Sequence, residues 1–509
     1  MKKYKAYMLR MTLAVALLVS VQSCVDLMED TSSVLSIENL KSEGDVVSAL
    51  APVYRQMATV YATPHFQRVP TYGADDLTTW WAGNKAPIRV FDRFDYGNGE
   101  NSDINWLPTG WNGYWQVIYR ANTVIDGLKT STAAEDIVIA ADGEARFLRA
   151  LAYFHLVRTH GNMPIILDGY TPTGEETRAT VLQNYEHIEA DLLAAEAQLP
   201  GPGEVSSVGR ISAAAAKTLL ADLYLTWAGW PVKDNSKYAM AASKAKEVID
   251  MGYFELLPIE DLWLMEGQNS RESVFSIQFS MAEDIRNGYP AAFSFHEARG
   301  WSDAYPELQF FMDFPEGPRK DATFHTEIPQ RGVSGGQIVT KDPATLPWQD
   351  SQRGHPMYKK FTIAEDLTLG GRTDGYRSVE VYRYAEVLLI YAEAQAHAGS
   401  TGESIEALNQ VRRRAAGIDY LSPDAQVDVV SATPNEVVDE KGWELAGEYK
   451  RWFDLIRTER VEEMAAKRSL DEQVELARQP TKDNYIAPIP FQAISTSELK
   501  QNPEGFVIQ

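Results

Sequence analysis

Two pairs of consecutive helices rich in small residues constrain the fold of this chain more than any other feature. The helices of the first pair are predicted over 221–229 and 238–252, and those of the second over 386–399 and 403–417. Alanines at helical spacing let two helices pack closely, and the glycine that ends each helix lets the chain turn back. Hairpins of about 30 to 35 residues that bury their faces on one another are typical of tetratricopeptide-like repeats. The sequence therefore predicts a mostly α-helical fold built from such hairpins.

Helical periodicity extends over much of the remaining chain, with apolar residues three and four positions apart. The predicted helices cover 110–128, 143–161, 184–199, 211–229, 237–252, 384–399, 403–417 and 434–464. Two regions of different composition interrupt them, residues 60–110 and 255–378, which are dense in glycine, proline, asparagine, aspartate, tryptophan and tyrosine. Loops this long in a compact protein are usually functional, so we expect them to carry the functional site.

The N-terminus has the pattern of an export signal. Residues 1–10 are basic with no acidic residue, and the apolar run from Met11 to Val21 is too short for a stable membrane anchor. Cys24, the single cysteine of the sequence, follows this run and Ser23, which is typical of an acylated bacterial lipoprotein. Ordinary cleavage nearby, with Cys24 incidental, is the alternative. We expect a signal peptide over 1–23 and one domain over 24–509, with an N-terminal part of about 24–250 and a C-terminal part of about 251–509.

The charge of the chain restricts its partners. Removal of residues 1–23 takes away four positive charges and moves the formal net charge from −23 to −27. Nucleic acid and anionic membrane surfaces both need a basic partner, so neither is expected to bind this protein. No later apolar stretch reaches the roughly 20 residues of a membrane-spanning helix.

Several motifs, by their order and spacing, resemble those of the SusD/RagB family of outer-membrane lipoproteins of Bacteroidota. The most recognisable is GEARFLRALAYFHLVRTHGNMPII at 143–166, which follows WNGYWQVIYRANTVID at 111–126. VYRYAEVLLIYAEAQAHAG at 381–399 and ELAGEYKRWFDLIR at 444–457 come later in the same order. The resemblance extends over nearly the whole chain.

The resemblance implies a SusD-like fold with about four tetratricopeptide-like hairpins and an irregular, long-loop face that binds the ligand. It also implies a lipid anchor in the outer membrane, exposure at the cell surface and pairing with a SusC-like, TonB-dependent transporter. A member of this family captures an oligosaccharide or polysaccharide, or less often a peptide, and delivers it to the transporter. It is a binding protein and not an enzyme.

Trp80 and Trp81 stand side by side in the first loop region, in the stretch TTWWAGNK. Adjacent residues point to opposite faces of a strand and about 100° apart on a helix, so one buried face cannot easily take both indoles. An indole offers a flat, electron-rich surface on which the C–H face of a sugar ring can lie. We therefore interpret the pair as a glycan-stacking platform. In the alternative, one indole packs into the core and the other contacts the transporter.

The expected ligand-binding residues lie in both loop regions. Trp81 is the first candidate, because the amide of Asn84 follows it closely and could orient a sugar hydroxyl. The resemblance implies aromatic ligand contacts in the second region as well, where Trp301 and Tyr305 could form the opposite wall. The full expected set is Trp81, Trp80, Asn84, Trp301, Tyr305 and Asp76, with Asp75 and Thr79 as further hydrogen-bonding groups.

The sequence offers little support for an enzymatic function. GVSGG at 332–336 contains Gly-x-Ser-x-Gly, but no apolar strand precedes Ser334 and no amphipathic helix follows it, as a nucleophile elbow requires. The histidines lack the spacing of a metal site, so we expect no metal and no cofactor. The oxygen-rich stretch 92–103 could hold calcium, but it lacks the residue order of an EF-hand, and a solvated loop is the simpler interpretation. Carboxylates are numerous, so an exported glycan hydrolase on a helical scaffold stays open as an alternative.

Charged and aromatic residues within the predicted helices are interpreted as scaffold. Structural ion pairs are expected for Glu144, Arg146, Arg149, Arg451 and Arg457. The triplet Arg412–Arg414 spans three directions of one helix, which favours a paired or solvated face over an anion site. Core spacing predicts packing roles for Tyr382, Tyr384 and Tyr391.

Overall fold

The fold is known from a computed structural model of the chain. It describes residues 40–63, 68–81, 83–96, 106–298, 300–329, 333–334, 337–338, 345–362, 375–469, 471–472 and 475–502. The expected signal peptide and Cys24 lie outside these residues, as does most of the stretch 92–103. In this described part of the chain, none of the helices combines the length and the apolar composition that a membrane span needs.

Helices make up most of the described structure. Those of the N-terminal half are α1 (Glu43–Ala62), α2 (Ala86–Asp92), α3 (Leu107–Leu128), α4 (Glu135–His160), α5 (Val181–Gln198), α6 (Ala213–Ala228) and α7 (Lys237–Asp250). Those of the C-terminal half are α8 (Tyr289–Phe293), α9 (Leu308–Asp313), α10 (Pro318–Thr323), α11 (Tyr384–Ala398), α12 (Gly402–Ala415), α13 (Pro434–Glu444), α14 (Arg451–Arg457), α15 (Val461–Ala466) and α16 (Phe491–Ser495). Short 3₁₀ turns cover Val69–Gly73, Gly83–Lys85, Met265–Gly267, His296–Ala298, Trp348–Asp350 and Lys482–Asn484.

The long helices stack in a continuous series. Each of α1, α3, α4, α5, α6, α7, α11 and α12 packs against the next in this order. The series divides into the hairpins α1/α3, α4/α5, α6/α7 and α11/α12, and the last two are the alanine-rich pairs predicted from the sequence. Close packing follows from small buried side chains, such as Ala214, Ala215, Ala241 and Ala245, which are fully buried. The predicted mostly α-helical fold of tetratricopeptide-like hairpins is confirmed.

Local sequence explains where several of these helices begin and end. Capping boxes start α1, α5, α12 and α13, with the N-cap side chains of Ser42, Thr180, Thr401 and Thr433. In each box the N-cap side chain and that of the third helical residue satisfy backbone N–H groups that lack helical partners. At the end of α11, Gly399 takes a φ of 95°, a conformation that a residue with a Cβ rarely adopts.

The β-structure of the described residues consists of four small antiparallel pairs. Its strands are β1 (Ser273–Ile277), β2 (Phe324–His325), β3 (Glu327–Pro329), β4 (Val333–Ser334), β5 (Gln337–Ile338), β6 (Thr345–Pro347), β7 (Met357–Tyr358) and β8 (Val379–Arg383). The pairs are β1–β8, β2–β7, β3–β6 and β4–β5. In the first pair Ser273 lies opposite Arg383 and Ile277 opposite Val379, and β8 runs directly into α11. This pair therefore closes the second long loop region onto the helical stack.

The two long loop regions are insertions into the stack. The first lies between α1 and α3 and the second between α7 and α11. Aromatic packing fixes the second insertion: the ring of Tyr358 lies 5.4 Å from that of Phe293 and 5.2 Å from that of Phe324. All three rings are part of the main hydrophobic core. The loops that carry the site are thus anchored by the same core as the helices.

The charged residues assigned to the scaffold form ion pairs. Arg149 makes two bonds of 2.7 Å to the carboxylate of Asp191, and both side chains are buried. The other pairs are Glu144–Arg210, Arg146–Asp142, Arg451–Asp75 and Arg457–Glu393. The structural interpretation of these motif residues is confirmed. A buried charge that loses such a partner destabilises the fold strongly.

The arginine triplet and the tyrosines also have scaffold roles. The triplet forms the ion pairs Arg412–Glu440, Arg413–Asp428 and Arg414–Glu272 at 2.6 to 3.0 Å. It is therefore a paired face and not an anion site, as expected. The buried core includes Tyr382, Tyr384 and Tyr391. Their predicted packing roles are confirmed.

Candidate functional site

The two insertions meet through a short backbone bridge. The N–H of Thr78 donates to the carbonyl of Tyr305 at 2.8 Å, and the N–H of Tyr305 donates back to Thr78 at 3.2 Å. This antiparallel bridge brings Trp80, of the first insertion, next to Trp301, of the second. These backbone contacts join the two loop regions that were expected to carry the site.

A cavity of about 580 Å³ opens at this meeting point. Its walls are formed by Trp80, Asn84, Lys85, Trp106, His296, Gly300, Trp301, Asp303, Gln352 and Arg353. Trp80, Asn84 and Trp301 belong to the set expected from the sequence. Clefts of this size with aromatic walls and a few convergent polar groups are typical of ligand sites.

The adjacent indoles take different positions at this cavity. Trp80 is half-buried in the wall, whereas Trp81 is 56% exposed beside it, with ring centroids 5.5 Å apart and planes tilted by 44°. The guanidinium carbon of Arg353 lies 4.0 Å from the centroid of the Trp80 ring, a cation–π contact that covers part of the indole. Neither indole is buried in the core. The residue on the cavity wall is Trp80, and not the first candidate, Trp81.

A tight turn holds Trp301 in the opposite wall. Its N–H donates to the carbonyl of Ala291 at 2.7 Å, and Ser302, with a φ of 48°, donates its N–H to the carbonyl of Ser294. A Cβ at Gly300 would lie 2.3 Å from the Cβ of Ser294, so only glycine fits there. The Trp301 side chain is 39% exposed. The turn thus presents the indole edge of the second insertion to the cavity.

Charged groups lie between the indoles. The buried side chains of Lys85 and Asp303 form an ion pair that links the two insertions. Burial, together with the positive charge of Arg353, lowers the pKa of Lys85 to about 8. The wall therefore carries two cationic side chains and one carboxylate, which can act as hydrogen-bond donors and acceptor toward a polar ligand.

The structure corrects two expected ligand contacts, Asp76 and Tyr305. Both are 1% exposed, and neither lines the cavity. The N–H of Gly447 donates to the Asp76 carboxylate at 2.9 Å, and burial, followed by the charge of Asp75, raises the pKa of Asp76 to about 7. The Tyr305 ring packs in a small buried cluster with Phe295, Ile328 and Met357, and lies 4.6 Å from the ring of His355. Both side chains therefore belong to the buried interior that supports the loops and not to the cavity wall.

Asp75 and Thr79 are also scaffold residues. Asp75 binds the buried Arg451 at 2.9 Å, and the backbone N–H of Thr79 donates to Asp92. Sequence reasoning expected hydrogen-bonding groups for a ligand here because these polar residues flank the indoles. A long-range partner, which a local pattern does not reveal, occupies the Asp75 carboxylate, and the Thr79 side chain is buried.

Sequence reasoning missed several wall residues. Trp106 belongs to the same aromatic-rich region as the doubled tryptophan, so composition offered a signal for it. Gln352 and Arg353 come shortly after Trp348, an aromatic residue of the second region, but Trp348 itself packs against the ring of Phe311 at 5.8 Å. No sequence pattern marks Arg353 as the residue that stacks on Trp80, because the two are joined only by the fold.

Two family models match the chain in succession. The model described as "Starch-binding associating with outer membrane" matches residues 37–225, and the model described as "SusD family" matches residues 284–504. The chain belongs to the SusD family. The recognition made from the motifs is confirmed, and the two matched segments cover both walls of the cavity and the helical stack except α7 and the end of α6.

SusD-family relatives match over nearly their full length. SusD-like protein P2 of Formosa agariphila is 26% identical over 99% of this chain and 100% of its own length. The crystal structure of a SusD homologue from Bacteroides thetaiotaomicron superposes with a TM-score of 0.76 at 22% identity, covering 91% of this chain and 97% of that one. A laminarin-binding SusD-like protein superposes with a TM-score of 0.72 at 24% identity, covering 91% and 99% of the two chains. These structures show a shared fold.

The remaining sequence motifs do not add chemistry to this SusD-family site. Ser334 lies in the two-residue strand β4, and the next residues that the structure describes form the paired strand β5, whereas a nucleophile elbow places a helix after the serine. Within the described residues, no group of three or more histidine, cysteine, aspartate or glutamate side chains is placed to hold a metal ion. The calcium hypothesis for 92–103 stays a prediction, since most of that stretch lies outside the described residues.

Proposed function

We propose that this SusD-family protein binds an oligosaccharide or polysaccharide in the cavity between its two insertions and delivers it to a TonB-dependent transporter of the outer membrane. The cavity carries the proposal, because it joins Trp80, Trp106 and Trp301 with polar side chains in one concave surface. Sugar rings combine apolar C–H faces with hydroxyl groups. A site for them needs flat aromatic surfaces and hydrogen-bonding groups within reach of each other.

The polar groups of the wall suit sugar hydroxyls. The Asn84 amide has both a donor and an acceptor, Gln352 has the same pair, and Arg353 carries a fork of N–H donors. Trp81, exposed at the rim, extends the aromatic surface beyond the cavity. A chain longer than the cavity could therefore continue across Trp81, which suits a polysaccharide better than a monosaccharide.

The wall supports binding rather than hydrolysis. Glycosidases use two carboxyl groups on either side of the scissile bond. Among the described residues that line this cavity, Asp303 is the single carboxylate, and it is held in an ion pair by Lys85. The laminarin-binding structural neighbour is a further support for a glycan as the ligand.

Isothermal titration against a polysaccharide panel tests the proposal. The panel contains laminarin, starch and xyloglucan, and the same mixtures are analysed for products. We expect saturable binding of at least one polysaccharide and no shortening of any chain. Binding of peptides alone, or release of oligosaccharides, would contradict it and favour the peptide-binding or the hydrolase alternative.

The membrane anchor and the partner are part of the same proposal. Cys24 is proposed to carry the acyl anchor, because it is the single cysteine and follows an export signal. Labelling with a palmitate analogue should mark the wild type and spare Cys24→Ser; equal labelling of both would contradict it. Pull-down from detergent-solubilised outer membranes should recover an integral membrane barrel, and recovery of soluble proteins only would count against a transporter partner.

A further inference from the structure

A second groove, of about 590 Å³, lies along helix α3 and shares none of its lining residues with the cavity. The groove runs between α3, the loop over 164–176 and helix α16 with the residues after it. The aromatic residues on its walls are Trp111, Trp115, Tyr119 and Tyr170.

The aromatic wall on α3 is rigid. The ring of Trp115 lies 5.9 Å from the ring of Trp111 and 5.9 Å from that of Tyr153, with interplanar angles of 61° and 81°. Edge-on neighbours on two sides fix its orientation. One helical turn later, Tyr119 is 65% exposed. The helix therefore offers two aromatic side chains in succession along the groove.

The opposite wall is held in place by Glu176. Its carboxylate accepts the phenol O–H of Tyr170 at 2.9 Å and the backbone N–H groups of Thr173 and Gly174. These bonds, above all that from Thr173, lower the pKa of Glu176 to about 2. The hydrogen bond from its O–H to Glu176 fixes the Tyr170 ring, and 47% of the residue remains exposed. Such pre-organisation reduces the entropy that a ligand must offset on binding.

Polar groups in the groove are available to a neutral ligand. The side-chain amides of Asn112 and Gln492 line it and have no hydrogen-bond partner among the described residues. Of the described lining residues none is a lysine or arginine, and the carboxylates of Asp126 and Glu176 are bound by Lys129 and by the loop. An anionic ligand would therefore meet these acidic groups with no cationic side chain among the described lining residues.

We infer that the groove is a second binding site for a neutral oligosaccharide, independent of the cavity between the insertions. The choice of a glycan as ligand class rests on the proposed function, while the site itself rests on the geometry of the groove. Aromatic surfaces on both walls, free amides between them and the absence of cationic lining residues in the described chain fit a neutral chain of sugar rings. The volume is that of a small-ligand site.

Hydroxyl-radical footprinting of the mature full-length protein tests the inference. The probes are maltoheptaose, laminarihexaose and a xyloglucan oligosaccharide, each at increasing concentration. We expect saturable protection of Tyr119 and Tyr170 from oxidation, while the exposed Met312, which lines neither surface, oxidises at an unchanged rate. Trp81 and Trp301 report on the proposed cavity in the same digest.

The pattern of protection separates the two proposals. Protection of Trp81 and Trp301 alone would overturn the second site and leave the proposed function standing. Protection of Tyr119 and Tyr170 alone would support the second site and overturn the cavity as the binding site. No protection by any probe would overturn both.

Variants at the groove add a matched control. Tyr170→Phe keeps the ring and should still be protected by ligand, whereas Tyr170→Ala should weaken binding to the groove by about tenfold or more. The Tyr119→Ala variant should have a similar effect. Equal affinity of the groove in wild type and Tyr170→Ala would overturn the inference.

Discussion

Removal of the Trp80 indole should weaken glycan binding and leave the fold almost intact. Loss of one central aromatic anchor is commonly worth about 2 kcal/mol, so the affinity of Trp80→Ala should fall by a factor of about 30. Trp80 is half-buried, and the guanidinium carbon of Arg353 lies 4.0 Å from its ring centroid. Loss of that cation–π contact should destabilise the protein by about 0.5 to 2 kcal/mol.

Titration and thermal melting of the same variant separate a site residue from a core residue. For a chain of this size, each kcal/mol corresponds to a shift of about 1 °C in Tm, so the melting temperature should fall by about 2 °C or less. A core tryptophan would lose about 3 to 5 kcal/mol. Trp81→Ala is the matched control, because its indole is 56% exposed beside the cavity and not in its wall, and it should lose less affinity. Unchanged affinity in Trp80→Ala with a clear loss of Tm would refute the reasoning.

Three further substitutions test residues that hold the site or the fold in place. Gly300→Ala should weaken ligand binding, because a Cβ would lie 2.3 Å from Ser294 and force the turn that holds Trp301 to shift, as titration would measure. Asp191→Asn should lower the free energy of unfolding by about 3 kcal/mol in a denaturant titration, since it removes the buried carboxylate paired with Arg149 and leaves that guanidinium only the carboxylate of Asp168, at 3.2 Å. His160→Gln should flatten the pH dependence of stability between pH 6.5 and 4, because burial lowers the pKa of His160 from 6.5 to about 4. Its neutral form stabilises the fold above pH 6.5, and about 3 kcal/mol of that is lost as the pH falls through the folded pKa.

Each of these substitutions has its control. Gly83→Ala adds a Cβ in open space next to Asn84 and should bind as the wild type does. Asp250→Asn removes an exposed pair with Lys246, which should change stability by less than about 1 kcal/mol. Normal binding by Gly300→Ala, a stability loss in Asp191→Asn no larger than in Asp250→Asn, or an unchanged pH slope in His160→Gln would each contradict its prediction.

The helical stack could be predicted because its causes are local. Alanine at helical spacing and a terminal glycine such as Gly399 mark a hairpin within about 35 residues of sequence. The buried arginines could be assigned to the scaffold as well, since a charge inside an apolar helical pattern needs a partner. Arg149 meets that requirement through the carboxylate of Asp191, 42 residues away.

The site could be predicted only in part because distant contacts decide which side chains face the ligand. The doubled tryptophan lies outside the core, as the sequence predicts. The sequence favours Trp81 as the main ligand contact, whereas Trp80 is the indole in the cavity wall. The buried Asp76 carboxylate binds the N–H of Gly447, 371 residues away. Tyr305 is held by its backbone bridge to Thr78, and its side chain is buried. Irregular loops have no period from which such orientations follow.

A crystal structure of the protein with the oligosaccharide that binds most tightly in the panel tests the central claim most directly. We predict an intact glycan in the cavity between the insertions, with a sugar ring stacked on Trp80 or Trp301 and its hydroxyls bonded to Asn84 or Arg353. A glycan bound only elsewhere on the molecule, or a cleaved one in the cavity, would contradict it.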